Sequence, residues 1–149
     1  MPSRLLDIEA EIETPTGWLA LDDEDNGYEL HRESFNTQQI QARKVEAEGD
    51  WVEGTYTVRA TRGNVSENVA VYIWADTPFE LAERLEAFTN GLEQLQFRFR
   101  VTRGNLREEW TCMWSEYRIE TEQAMQFATL ALVRATIPRL PAKTRELVP

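Results

Sequence analysis

One segment of the chain carries several independent signals of a helix start, while most other apolar residues follow strand patterns. Thr77 stands at the N-cap position, Pro78 at the first helical position, and Glu80 completes a T-x-x-E capping box. After this start, five apolar residues recur at helical spacing and predict a single amphipathic stripe: Leu81, Leu85, Phe88, Leu92 and Leu95. Asn90-Gly91 either ends or weakens this helix.

Strand patterns precede the helix. Residues 55–60 alternate between apolar and polar side chains, and residues 69–74 are apolar on both faces. Between them, Thr61-Arg62-Gly63-Asn64 offers turn chemistry. We therefore predict a hairpin whose second strand is buried on both sides.

A second hairpin is predicted after the helix. Residues 97–102 alternate, Arg103-Gly104-Asn105 forms the turn, and the returning strand carries Trp110, Cys112 and Trp114 on one side. Residues 99–105 also echo residues 58–64, which indicates either two hairpins with the same turn or an internal pseudo-repeat.

The segment from residue 125 onward is interpreted as a strand that ends at proline. Residues 125–137 fit a helix by composition, but alternation from Phe127 to Ile137 favours a long strand. Pro138 and Pro141 are expected to end it, leaving 142–149 as a tail. The predicted organisation is one β-rich domain over residues 1–141 with a single helix.

Charge and composition exclude several classes of protein. The 26 Asp and Glu residues against 16 Lys and Arg give a net charge of -10, which disfavours specific binding to nucleic acid or anionic lipid. The single Cys112 and single His31 exclude an internal disulfide and a zinc cluster. No signal peptide and no apolar run of about 20 residues is present, so we expect no membrane association and a cytoplasmic origin.

One spacing resembles a calcium-binding loop, with Gly27 at the sixth position. Glu24 replaces a shorter ligand, and Thr14-Pro15-Thr16-Gly17 upstream cannot supply an entering helix, so an acidic loop between strands is the competing interpretation. The candidate ligands are Asp22, Glu24, Asn26 and Glu33.

No catalytic arrangement is predicted. Cys112 alternates with Trp110 and Trp114 and is expected in the core, away from His31. We therefore expect neither an enzyme nor a cofactor.

Arginines on the predicted hairpins form the second candidate site. Arg59, Arg62, Arg98, Arg100 and Arg103 lie opposite the apolar faces or near the turns. They could hold single-stranded nucleic acid, but the acidic total favours pairing with carboxylates of the same domain or of another subunit.

Three stretches carry a resemblance to a known family. They are VEGTYTVRA at 52–60, DTPFELAERL at 76–85 and ATIPRLP at 135–141. The predicted order of elements, which is hairpin, helix, hairpin and proline-ended strand, adds to the resemblance. Over residues 50–141 the chain resembles phage tail proteins of the tail-tube and distal-tail superfamily. It departs from that pattern at Trp74-Ala75-Asp76, where glycine is common, and in its N-terminal third.

The resemblance implies a β-sandwich or split barrel flanked by one helix. It further implies a structural subunit of the virion tail, assembled in the host cytoplasm, whose copies form a sixfold ring around a DNA-conducting channel and contact neighbouring tail proteins. The polar hairpin faces would line that channel or the assembly contacts, with Thr57, Arg59, Arg62, Arg98, Arg100 and Arg103 as the candidates.

An alternative function remains open at this point. A non-catalytic β-sandwich could act as a binding module for carbohydrate or protein through Trp18 or Trp51.

Overall fold

The computed structural model describes residues 8–36, 38–48 and 55–149, with the side chains of 8–36, of 39 and of 63 onward. The chain is mainly β with one helix, as the sequence predicts. The elements are β1 Glu9–Thr14, β2 Gly17–Ala20, β3 Tyr28–Leu30, β4 Gln38–Glu48, β5 Thr55–Trp74, α1 Pro78–Leu92, β6 Gln96–Arg103, β7 Leu106–Met113, β8 Glu116–Glu120 and β9 Leu130–Leu147.

The strands form one antiparallel sheet in the order β2-β1-β6-β7-β9-β5-β3. Strand β4 pairs with β5, and β8 pairs with β9 beside β7. The sheet curls into a nearly closed, barrel-like arrangement. Alternating side chains of the long strands fill its interior, which explains the strand periodicity of the sequence.

Helix α1 begins where the capping signals predict. The Thr77 hydroxyl accepts a hydrogen bond from the Glu80 N–H at 3.2 Å, and Pro78 is the first helical residue. The helix packs against β1 and β5. Asn90-Gly91 lies in the last turn and does not end the helix, which continues to Leu92. The glycine instead allows a close approach to β1, since a Cβ there would lie 3.2 Å from Ile12 Cδ1.

The predicted apolar stripe is correct except at its last member. Leu81, Leu85, Phe88 and Leu92 are buried. Leu95 lies beyond the helix and is 83% exposed, so its helical spacing was misleading.

The first predicted hairpin is wrong, because residues 61–64 do not turn. Strand β5 runs without interruption from Thr55 to Trp74. The register with β4 shifts at this point, so that Gly63 and Asn64 stand opposite the single residue Gln41. The glycine thus lies at a β-bulge, and the real hairpin partner of this strand is β4.

The second predicted hairpin is confirmed. Strands β6 and β7 pair directly, and Gly104 takes a positive φ of 58° in the turn. Trp110 and Cys112 are buried, whereas Trp114 lies past the end of β7 and is 54% exposed. Since residues 99–105 turn and 58–64 do not, the echo between the two segments does not correspond to a repeated local structure.

The prolines do not end the last strand, and the expected tail at 142–149 is a strand to Leu147. Strand β9 changes partner instead, from β5 as far as Arg139 to β7 from there onward. Pro141 falls in the register irregularity between β7 and β9, where the missing N–H of proline is tolerated. A chain boundary at residue 141 is therefore not a structural boundary.

Strands β4 and β5 continue to pair with each other beyond the part of β5 that pairs with β9. That pairing begins at Val65, whereas β4 pairs with β5 from Ala42↔Arg62 to Glu48↔Thr55. Within the described residues, 42–48 and 55–62 therefore form a two-stranded ribbon, called the arm below. A second bulge lies inside it, between Val45 and Glu46.

Candidate functional site

The predicted channel arginines fall in two separate places, the outer face of β6 and the arm. Arg100 lies on β6 between Glu11 of β1 and Glu109 of β7, which the strand register places directly opposite it on either side. Its Nε and Nη2 donate to the two carboxylate oxygens of Glu11 at 3.0 and 2.8 Å. This two-point contact is the strongest form of an arginine–carboxylate pair.

Arg98, two residues earlier on the same face, is held by Glu13, and its Nε and Nη2 both donate to one carboxylate oxygen. Its Nη2 lies 2.7 Å from Glu13 Oε2, and its backbone N–H donates to the other oxygen of that carboxylate at 3.2 Å. Glu109 approaches Arg98 Nη1 at 3.4 Å. The hydrogen bond from Arg98 holds the pKa of Glu13 below its usual value despite the opposing effect of burial.

Trp18 of β2 completes this surface. The Arg100 guanidinium lies 3.9 Å from the Trp18 ring centroid, and that of Arg98 lies at 5.2 Å. Such cation–π contacts stabilise arginines in a fixed position. The prediction that these arginines pair with acidic neighbours is confirmed for Arg98 and Arg100, and a sugar stacking on the covered ring face would have to displace Arg100.

The remaining channel candidates are not brought to this surface. Arg103 ends β6 at the hairpin turn, where its charge helps to lower the pKa of Glu108 after the larger effect of the hydrogen bond from Lys143. Thr57, Arg59 and Arg62 lie on β5 in the arm, and their side chains are outside the described part. Trp51, the second candidate for sugar binding, lies outside it entirely.

The calcium-loop candidates do not converge. Residues 24–26 form a single 3-10 turn closed by Gly27 at φ 81°, and the Asn26 amide donates to the Asp23 carboxylate. Glu33 lies apart, 3.2 Å from Arg134 of β9, whose hydrogen bond lowers its pKa. Among the described residues, no group of three or more His, Cys, Asp or Glu is placed to hold a metal ion.

The single histidine and the single cysteine have different environments. Cys112 is fully buried, as predicted, and burial raises the pKa of its thiol. His31 follows β3, where its Nδ1 accepts the Glu33 N–H at 3.1 Å and its ring packs on Tyr72 at 5.3 Å. A buried thiol with a raised pKa is a poor nucleophile, so Cys112 is a core residue.

A buried ion pair was missed by the sequence reasoning. Arg139 Nε donates to Glu67 Oε1 at 3.1 Å, and both side chains are at most 5% exposed. The Arg139 guanidinium also lies 5.1 Å from the Trp110 ring centroid. The available signal was that Glu67 interrupts the apolar face of Val65 and Val69, while Arg139 extends the apolar face of β9.

Two grooves lie on the outside of the sheet. The larger, about 670 Å³, lies between the segment 33–36 and strands β5, β8 and β9, and contains the opposed pair Arg118 and Arg134. The smaller, about 550 Å³, lies between Tyr72, residues 120–123 and residues 128–132. Glu33 and Glu120 both contact Arg134, so the larger groove carries internally paired charges.

No protein-family model matches the chain, and no curated protein matches it either. In the described part of the chain, no helix is both long and apolar enough to cross a membrane.

Proposed function

We propose that this protein is a non-catalytic structural subunit of a phage tail, either of the tail tube or of the distal ring. Copies associate into a ring, expected to be sixfold, around a channel that conducts DNA. The resemblance of residues 50–141 to the tail-tube and distal-tail superfamily motivates the proposal.

The observation that carries the proposal is the arm. A two-stranded ribbon has few packing contacts and is marginally stable alone in water. Within the described residues, β4 is the only strand that pairs with 55–62, so the opposite edge of β5 has backbone groups available to another chain. Pairing between neighbouring subunits would use those groups and protect the edge from aggregation.

The electrostatics favour passage of DNA over its retention. A chain of net charge -10 repels phosphate, and a ring multiplies that charge. Arg98 and Arg100 are already held by Glu13 and Glu11, so we assign the subunit contacts to the arm with Thr57, Arg59 and Arg62.

The arm offers a sharp test through two proline substitutions. Neighbouring N–H groups of a strand point to opposite edges, so of Ala60 and Thr61 one faces β4 and the other faces outward. Ala60→Pro and Thr61→Pro therefore remove one inner and one outer donor from the same place. Light scattering and negative-stain microscopy should show rings for the wild type and impaired rings for the variant lacking the outer donor.

Both variants should keep the wild-type near-ultraviolet circular dichroism, because the core aromatic residues lie outside the arm. A wild type that stays monomeric at every concentration and with tail components added contradicts the proposal. Rings that form equally well in both variants contradict the role of the arm.

A further inference from the structure

Three segments meet at one end of the sheet, and together they are called the acidic end: residues 21–28, 72–80 and 120–132. The Trp74 N–H donates to the Gly27 carbonyl at 3.0 Å, and the Ala75 N–H donates to the Thr129 carbonyl at 3.0 Å. Glu120 of β8 stands opposite Leu132 of β9. These segments are therefore one contiguous surface built from the ends of β5, β8 and β9 and the loop before β3.

Much of the negative charge of the protein lies there. The three segments contain eight acidic residues and no Lys, Arg or His, in a chain of net charge -10. Arginines from neighbouring elements reach two places on this surface: Arg84 of α1 donates to the Trp74 carbonyl, and Arg118 and Arg134 contact the Glu120 carboxylate. The carboxylates are those of Asp22, Asp23, Glu24, Asp25, Asp76, Glu80, Glu120 and Glu122.

The field of this cluster is visible in a neighbouring carboxyl group. The pKa of Glu29 on β3 is raised, first by burial and then by the charges of Glu24 and Asp22. By contrast, carboxylates such as Glu13 and Glu108, elsewhere on the sheet, have lowered pKa values because arginine or lysine donates to them. Charge repulsion from Glu24 and Asp22 thus adds to the effect of burial at Glu29, in contrast to the carboxylates that arginine or lysine holds on the other strands.

The acidic end also exposes large apolar side chains. Phe79 is 72% exposed and Phe127 is 65% exposed, and Met125 and Leu130 are both half exposed. Leu130 also lines the groove of about 550 Å³, together with Tyr72, the polar residues 120–123 and the rest of 128–132. An exposed apolar patch with a polar rim is typical of a protein-interaction site.

A second copy of this chain docked through its own acidic end is a poor occupant for such a surface. Each copy brings a net charge of -10, and the outer-face cations Arg98, Arg100 and Lys143 already contact carboxylates of their own chain. Docking two copies in this way would bring their acidic ends together.

We propose that the acidic end is a docking surface for a cationic, amphipathic segment of another protein. Apolar side chains of that segment enter the groove beside Tyr72 and contact Phe127 and Leu130. Its lysines and arginines then lie against the surrounding carboxylates, which orient the segment and speed its association. This proposal goes beyond ring formation and holds whether or not the rings form.

The probe is a fluorescein-labelled amphipathic peptide of leucine and lysine, about 18 residues long. Fluorescence anisotropy with the full chain should show saturable binding that weakens as salt increases. Phe127→Ser and Glu122→Lys should each weaken it about tenfold, the effect of losing one anchor or reversing one contact. Leu95→Ser is the matched control, because Leu95 is even more exposed than Phe127 but lies after the C-terminal end of α1, and this variant should bind like the wild type.

Both altered positions are exposed, so the variants should fold, and thermal unfolding verifies that they do. Absence of saturable binding overturns the proposal. Equal weakening by Leu95→Ser and Phe127→Ser also overturns it, since the peptide would then respond to exposed apolar side chains wherever they lie on the protein. A wild-type oligomer that Phe127→Ser dissociates would identify the surface as a contact between copies and overturn it as well.

Discussion

The most consequential single contacts are those that bury charge. Glu67 and Arg139 lie inside a sheet whose other inward side chains are mostly apolar, and they are kept there by their mutual hydrogen bond and by Trp110. The Trp110 ring in turn stacks on Phe99 at 5.8 Å and meets Phe35 edge-on at 6.4 Å. A charge in such surroundings is tolerated only while its partner remains.

Removing one member of this pair should therefore be costly. Arg139→Met leaves the Glu67 carboxylate buried without its guanidinium, and we expect a loss of about 3–5 kcal/mol in the free energy of unfolding. Urea denaturation measures it. The double variant Glu67→Leu with Arg139→Met should recover most of the loss, because it buries no charge; a double variant as unstable as the single one would contradict this account.

The environment of a residue could be predicted where it depends on the overall composition or on the alternation along one strand. The pairing of Arg98 and Arg100 with carboxylates was expected from the acidic composition, and Cys112 was expected in the core. The positive φ of 65° at Phe35, which accompanies its packing on Phe99, leaves no mark in a pattern of apolar residues. Such a conformation depends on the tertiary packing around it.

At the scale of elements, signals that act within a few residues were reliable. The T-P-x-E start of α1 and the Gly104 turn are satisfied by local hydrogen bonds and backbone angles, so both were predictable. Gly63 and Pro141 were misread because their roles depend on distant strands. One sits in a bulge against β4, and the other lies where β9 pairs with β7.

The C-terminal part of β9 provides a direct test of this correction. Ending the chain after Pro141 removes five cross-strand pairs with β7, including Trp110↔Lys143, and the ion pair of Lys143 with Glu108 at 2.7 Å. At about 0.2–1 kcal/mol per pair, the free energy of unfolding should fall by about 1–5 kcal/mol. The control is a chain that lacks only Val148 and Pro149. If the longer truncation leaves the free energy of unfolding unchanged, residues 142–149 are a tail, as the sequence predicts, and the correction is wrong.

For the whole molecule, the class of fold could be predicted from the sequence, but the two-stranded arm could not. Alternation along strands and one capped helix were enough to predict a β-rich domain with a single helix. The arm was missed because its β4 half, residues 42–48, follows no apolar alternation, so the alternating residues 55–60 were paired with the wrong strand.

The charge of the whole molecule leads to a prediction about DNA. Non-specific DNA binding depends on cations that replace counterions at the phosphates, and dissociation constants of about 10⁻⁴–10⁻⁶ M are usual for proteins that provide them. A chain of net charge -10 whose Arg98 and Arg100 are engaged by its own carboxylates should bind more weakly than this range. Anisotropy of a labelled duplex, measured with monomer and with any oligomer at about 0.15 M salt, should therefore not change. The opposite outcome is tight binding that weakens steeply with salt and is lost in the double variant Arg59→Glu with Arg62→Glu. It would make the arm a DNA-binding element and would exclude a channel that lets DNA pass.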